Sequence, residues 1–147
     1  MNPASVSESI VEVITIQASA ARIFEALTNP AERMKWWGME GRFVIKHIES
    51  DLRPGGKWLM SGDGVGHPFR VSGIYRKVEP PRLPEFTWLP DWQGDSTESV
   101  VRFELEEKDG ATTVRLTHSG LSETARTSHR GWPQILGWLQ AFAEQKA

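Results

Sequence analysis

Four histidines, a single tyrosine and one glycine-rich run are where this 147-residue sequence offers chemistry. His47, His67, His118 and His129 show no His-x-x-x-His interval, the spacing that stacks two imidazoles on one helix face for a metal. The chain has no cysteine, so there is no thiolate for zinc, no disulfide framework and no thiol nucleophile. No metal and no cofactor are expected. Ser119 follows His118, but at a strand end and not in the strand-to-helix elbow that presents a hydrolase nucleophile. The run Gly62-Asp63-Gly64-Val65-Gly66 lies between two strand patterns and opens no helix whose N-terminus would receive a phosphate. It reads as a mobile hairpin tip, one of two mobile loops expected at 62–67 and 91–96. His118 remains, on the parity of Val114 and Leu116 and therefore on a buried strand face. It is either a core imidazole bonded to a neighbouring carbonyl or hydroxyl, or a polar anchor for a ligand. Paired with Tyr75, it is also the candidate acid–base of a reaction near neutral pH.

The composition points away from bulk electrostatics and toward aromatic surface. Lys+Arg number 17 and Asp+Glu 19, a net charge of −2, and the isoelectric point is about 6.1. Nothing there holds a phosphate backbone, so nucleic acid is excluded as a general partner. No apolar stretch approaches the ~18 residues of a membrane span, and the N-terminus lacks the basic and apolar segments of an export signal. A soluble cytoplasmic protein without membrane insertion is expected. The unusual feature is seven tryptophans, each a ring able to bury on the order of 150–250 Å² while offering a flat face to a ligand.

The elements that position these groups follow from periodicity. Ile10 to Ile16 is a β-branched first strand. Ser19 is placed to cap a short helix carrying Ile23, Phe24 and Leu27 on one face. Asn29-Pro30-Ala31-Glu32 opens a second, with Asn29 accepting from the N3 amide and Glu32 reaching back as in a capping box. Two-residue alternation then runs through 43–49, 57–60, 69–78, 86–89, 100–106 and 112–118. Asp109-Gly110 predicts a tight hairpin turn at positive φ, with Val101, Phe103 and Leu105 facing one way and Arg102, Glu104 and Glu106 the other. A terminal helix beginning around Trp132, just before Pro133, presents Trp132, Ile135, Leu136, Leu139, Phe142 and Ala143. Ser122 reads as the cap of a short turn before it. The sum is an α+β domain: about seven antiparallel strands, two short helices after the first, and one long terminal helix.

Specific strings resemble a known family. Phe24-Glu25-Ala26-Leu27-Thr28-Asn29-Pro30 with Trp36-Trp37, Asp51-Leu52-Arg53-Pro54-Gly55-Gly56 with Trp58, Phe86-Thr87-Trp88, Thr117-His118 and Gly131-Trp132 occur in an order that resembles the SRPBCC or START-like superfamily. Within it they resemble the domain of the ATPase activator of the ninety-kilodalton heat-shock chaperone. The resemblance implies a helix-grip (Bet v-like) fold, a curved sheet wrapped around the terminal helix, as one domain over 1–147 with 1–9 a flexible tail. One departure is visible: Leu83-Pro84-Glu85-Phe86 puts Pro and Glu where the family runs straight into an apolar strand, predicting a bulge or a late strand start. Superfamily members include lipid and hormone binders and aromatic polyketide cyclases, all using a cavity between sheet and helix. Much of the eukaryotic activator's chaperone engagement belongs to a further N-terminal domain for which 147 residues leave no room, so a chaperone partner is an unsupported alternative.

On that fold the inward positions are Trp58, Phe69, Val71, Tyr75, Trp88, Phe103, Leu116, His118, Trp132 and Leu136, which together would line a ligand pocket. Its polar groups would be Tyr75, His118 and, depending on register, Arg70 or Ser72. Trp36 and Trp37 are adjacent and cannot both face inward from a helix; one would cover the cavity mouth or pack beneath the following loop. Trp92 belongs to a loop. The expected function is binding of a mostly apolar small molecule, lipid-like or aromatic, by a carrier or sensor. A cyclase-like or hydrolytic enzyme using His118 and Tyr75 is the alternative from another class. A monomer or a homodimer paired through an edge strand is expected.

Overall fold

The computed structural model of the chain describes residues 9–37, 43–64, 66–91, 98–121 and 131–145. Strand β1 (Ile10–Ile16) leads into helix α1 (Ala20–Thr28), where Ser19 Oγ accepts from the Arg22 amide at 3.1 Å and Ile23, Phe24 and Leu27 are buried. Helix α2 (Pro30–Trp36) starts at Asn29 as expected, but the Asn29 side chain accepts from Ala31 at 2.9 Å, one residue before N3. Its amide nitrogen is drawn instead to Glu25 at 2.6 Å, and Glu32 pairs forward with Lys35 at 3.6 Å, so no capping box closes. The strands β2 (Phe43–Ser50), β3 (Lys57–Gly64), β4 (His67–Glu79), β5 (Leu83–Pro90), β6 (Ser99–Lys108) and β7 (Ala111–Ser119) follow, then helix α3 (Trp132–Ala143). The expected cap at Ser122, the loop at 92–96 with Trp92, and most of the N-terminal tail (1–8) lie outside the described residues.

All neighbouring strands are antiparallel, in the order β1-β7-β6-β5-β4-β3-β2. The first strand thus closes beside the last, and α1 and α2 carry the chain from that edge to the opposite one, where β2 begins. The β6–β7 hairpin turns through Asp109 (φ 55) and Gly110 (φ 82), both at positive φ, as a type I′ turn requires. Its register, Phe103↔Leu116 and Val101↔His118, puts every expected inward residue of the pair on the buried face.

Two expectations shift. The glycine-rich run is not a long tip, because Gly62, Asp63 and Gly64 are paired on both sides, to β2 and to β4, and an interior strand is held by two ladders. β5 starts early, at Leu83, and the irregularity falls on its partner: β4 inserts Arg76 between the pairs Tyr75↔Phe86 and Lys77↔Glu85. Pro84 is tolerated because the β6 ladder begins only at Glu85↔Arg102, where a missing N–H is no longer at issue. Phe86 and Trp88 consequently both land inward, each 3% exposed.

The inner face of the sheet packs against α3, which buries Trp132, Leu136, Trp138, Leu139, Phe142 and Ala143. The C-terminal end of α3 is latched to α1: Arg22 Nε donates to the Ala143 carbonyl at 2.9 Å and Nη2 to Phe142 at 3.2 Å, with the guanidinium 5.2 Å from the Phe142 ring. A cation there meets the negative end of the helix dipole. Arg22→Ala is expected to cost about 1.5–3 kcal/mol, the range for hydrogen bonds from a charged donor, read as a lower urea midpoint at unchanged slope. An unmoved midpoint would show that the latch is dispensable. No described helix is long and apolar enough to cross a membrane.

Candidate functional site

Alternation on β3 to β7 projects rings from successive strands onto one face, and α3 and the end of α2 add theirs from above. Trp88 is the centre: its ring lies 5.8 Å from Trp58, 5.5 Å from Trp132, 5.8 Å from His118 and 6.4 Å from Trp37. Phe86 stands 5.2 Å from Trp58, 6.0 Å from Tyr75 and 6.3 Å from Phe103, and Phe103 returns to Trp132 at 6.2 Å. These spacings fall in the range of favourable edge and offset ring contacts. The ten inward residues expected from the sequence, Trp58, Phe69, Val71, Tyr75, Trp88, Phe103, Leu116, His118, Trp132 and Leu136, are all buried in this one core.

Both adjacent tryptophans reach it, Trp36 buried and Trp37 half-buried at its edge. Trp36 is 1% exposed with its Nε1 donating to the Ala26 carbonyl at 2.9 Å, while Trp37 touches Trp36 at 5.5 Å and Trp132 at 6.3 Å. The reason is local: α2 ends at Trp36, and Trp37 is extended (φ −70, ψ 116), which releases its ring from helical geometry. Arg70 and Ser72 are excluded from the inner face, since Phe69, Val71 and Tyr75 occupy the buried parity of β4 and Arg70 is exposed.

His118 is 0% exposed and both ring nitrogens are engaged. Trp132 Nε1 donates to Nδ1 at 3.0 Å; an indole is a donor only, so the imidazole proton sits on Nε2. From there it donates to Ser99 Oγ at 2.7 Å, and Ser99 passes a bond to the Trp88 carbonyl at 3.3 Å. Tyr75 holds a separate bond, its hydroxyl 2.7 Å from Ser50 Oγ. The pairs Tyr75↔Phe86, Phe86↔Val101 and Val101↔His118 place the two polar side chains in one row across four strands. Three strand spacings separate them by about 14 Å, so the structure does not bring His118 and Tyr75 together.

One residue of the site escaped the sequence reading. Arg33, on α2, is 5% exposed, and its guanidinium carbon lies 5.9 Å from the Trp37 ring and 5.7 Å from Trp58. Nη2 donates to the Leu27 carbonyl, while Nε is buried without an acceptor. Burial pushes its pKa below the ordinary arginine value, against an opposing pull from Tyr75, yet an arginine stays cationic in a protein. Leaving such a charge unpaired costs on the order of several kcal/mol, and ring faces return about 2 kcal/mol when desolvated. A signal was present: Arg33, Trp36 and Trp37 fall at i, i+3 and i+4, a cation on the aromatic face of a helix. A separate open hollow of about 360 Å³ at the β2–β3 turn is lined by Glu49, Ser50, Asp51, Arg53 and Lys57, charged groups unsuited to an apolar ligand.

Comparison with known proteins matches this architecture. The family model described as Activator of Hsp90 ATPase homolog 1-like protein matches residues 17–144. Among solved structures, protein CV1439 from Chromobacterium violaceum is 23% identical with a TM-score of 0.84, covering 94% of this chain and 98% of that one. Protein NE0264 from Nitrosomonas europaea is 17% identical with a TM-score of 0.80, covering 99% and 100%. An HSP90 activator from Plasmodium falciparum is 18% identical with a TM-score of 0.70, covering 90% and 94%. At these identities the structural likeness is one of fold. No curated protein matches the sequence significantly.

Proposed function

We propose, from the premise that this chain belongs to the Activator of Hsp90 ATPase homolog 1-like protein family, that it binds a mostly apolar small molecule between its sheet and α3, as a carrier or sensor. The observation that carries this reading is the unbroken set of ring contacts from Tyr75 through Phe86, Trp58 and Trp88 to Trp132 and His118. Sites for apolar ligands are walls of such rings with a few polar groups at fixed points, here Ser50–Tyr75 at one end and Ser99–His118 at the other. Trp37, only half-buried, puts one ring of the set at its border.

Binding fits better than catalysis. An acid–base pair needs its members within reach of one reacting group, and His118 and Tyr75 lie about 14 Å apart, three strand spacings, each held by its own partner. A chaperone-binding reading rests on the family description and on the fold shared with the Plasmodium falciparum activator, not on any contact within this chain. Titration with a panel of fatty acids, fatty alcohols and aromatic compounds is expected to give a saturable shift in tryptophan emission and to move the indole N–H resonances of Trp88 and Trp132. Native mass spectrometry of freshly purified protein is expected to show a co-purifying small molecule. A protein that takes up no member of the panel and carries none would end this reading.

A further inference from the structure

Four arginines of this protein stand beside a carboxylate. Arg53 and Arg82 each stand beside an exposed carboxylate, where water screens the attraction, and Arg76 and Arg102 converge on the buried carboxylate of Glu85. Arg33, buried, stands beside none: among the described residues no carboxylate lies within ion-pair distance of it, its one hydrogen bond goes to a neutral carbonyl, and its Nε has no acceptor. Capping the Leu27 carbonyl at the end of α1 accounts for Nη2 but leaves Nε without an acceptor. The guanidinium lies against two rings of the aromatic wall, Trp37 and Trp58, and both of those rings touch Trp88. A buried cation with an open N–H donor, set into an apolar wall, is chemically complete only when an anion arrives with an apolar body.

We propose that Arg33 is the anion receptor of this site, accepting the carboxylate of an amphipathic small molecule whose apolar part lies along Trp37, Trp58 and Trp88; this rests on the ligand-binding reading above. A carboxylate is the partner that a planar guanidinium fork matches with parallel N–H···O bonds. Removed from water beside the rings, that pair gains far more than a surface pair. Arg33 is then what selects an acid over an alcohol, ester or amide of the same shape, while the rings select the body.

The test is calorimetric titration of the full chain with two matched pairs, 2-naphthoate against 2-naphthamide and laurate against dodecanamide. The carboxylate of each pair is expected to bind at least tenfold more tightly than its amide. In Arg33→Met the preference should vanish while amide affinity stays within twofold, and Arg33→Lys should retain part of it. Equal binding of acid and amide by the wild-type protein, or a preference that survives in Arg33→Met, overturns this proposal and leaves the ligand-binding reading standing. Binding of neither pair removes that reading and this proposal with it. Should Arg33→Met fail to fold, the wild-type Arg33 Nε–H resonance decides: bound 2-naphthoate is expected to move it downfield and bound 2-naphthamide to leave it in place. A resonance indifferent to the bound acid overturns the assignment.

Discussion

Gly73→Ala is expected to destabilise the protein by about 3–5 kcal/mol, the upper range for an overpacked and unsatisfied core position. Gly73 sits on β4 opposite Trp58 of β3, on the inward parity of Val71 and Tyr75. A Cβ there would stand 1.9 Å from the Thr87 carbonyl oxygen and 2.6 Å from Trp58 Nε1. Those two atoms are bonded to each other at 3.2 Å, so the indole crosses the space that glycine leaves empty to reach the backbone of β5. The obstructing atom is main chain and cannot turn aside as a flexible side chain would. Thr87 is tied a second time, its hydroxyl accepting from the Ile74 amide at 2.8 Å. An added methyl must therefore spread β4 from β5, orphan the Trp58 N–H, or both. Urea unfolding measures the loss, with Ser72→Ala on the opposite face as a control expected within about 0.5 kcal/mol of wild type. A Gly73→Ala protein within 1 kcal/mol of wild type, on the order of two surface substitutions, would mean that the strands shift freely and that the crossing is not a constraint.

Trp132 is the second position of large effect. Its ring meets Trp37, Trp88, Phe103 and His118, and it is 2% exposed. Trp132→Ala is expected to cost about 4–6 kcal/mol: 3–5 for the lost ring and its cavity, with more for the unsatisfied acceptor left on His118. Against a total stability of about 5–15 kcal/mol, that leaves a barely folded protein. Trp132→Phe keeps most of the ring contact and removes the N–H, so its cost, about 1–3 kcal/mol, isolates the bond to Nδ1. The same substitution frees Nδ1 to exchange tautomer, visible in the ¹⁵N shifts of His118. If Trp132→Phe costs nothing and leaves the imidazole spectrum unchanged, the indole does not set the tautomer.

Local signals made much of the fold legible. Ser19 and Asn29 were readable as caps because a short polar side chain beside an apolar repeat has few other uses. Asp109-Gly110 was readable because positive φ at two successive residues is sterically restricted. On β6 and β7 unbroken alternation sorted inward from outward residues correctly. β4 is different: parity holds through Phe69, Val71 and Tyr75, then Arg76 is inserted and the even-numbered Val78 packs on the core. No pattern within β4 announces that, because the bulge is a property of its pairing with β5. The direction of the Trp37 ring depends in a related way on α2 ending one residue earlier.

The candidate site was legible as a set of side chains and not as a set of bonds. The partners of His118 are Ser99 and Trp132, 19 and 14 residues away, and choosing between a core imidazole and a polar anchor required knowing them. The burial of Arg33 was not legible despite the tryptophans at i+3 and i+4, because an arginine on a short helix ordinarily reaches water. Only α2 packing over the β3 end of the sheet turns it onto Trp58.

The amino-acid sequence by itself therefore determined the element order, the β6–β7 turn, the cap positions Ser19 and Asn29 and the face on which the residues of β6 and β7 lie, all set by sterics and burial within a few residues. It determined the aromatic character of the interior as well, because six of the seven tryptophans fall in or at the end of strand and helix patterns whose apolar faces must meet. Tertiary structure alone decided which polar groups end up satisfied: His118 closed between an indole and a hydroxyl, Tyr75 held at the far end by Ser50, and Arg33 buried without an anion. Hydrogen bonds and charge pairs act over a few ångströms in space and without regard to distance along the chain, so their completion, or its absence at Arg33, is settled only when remote elements pack.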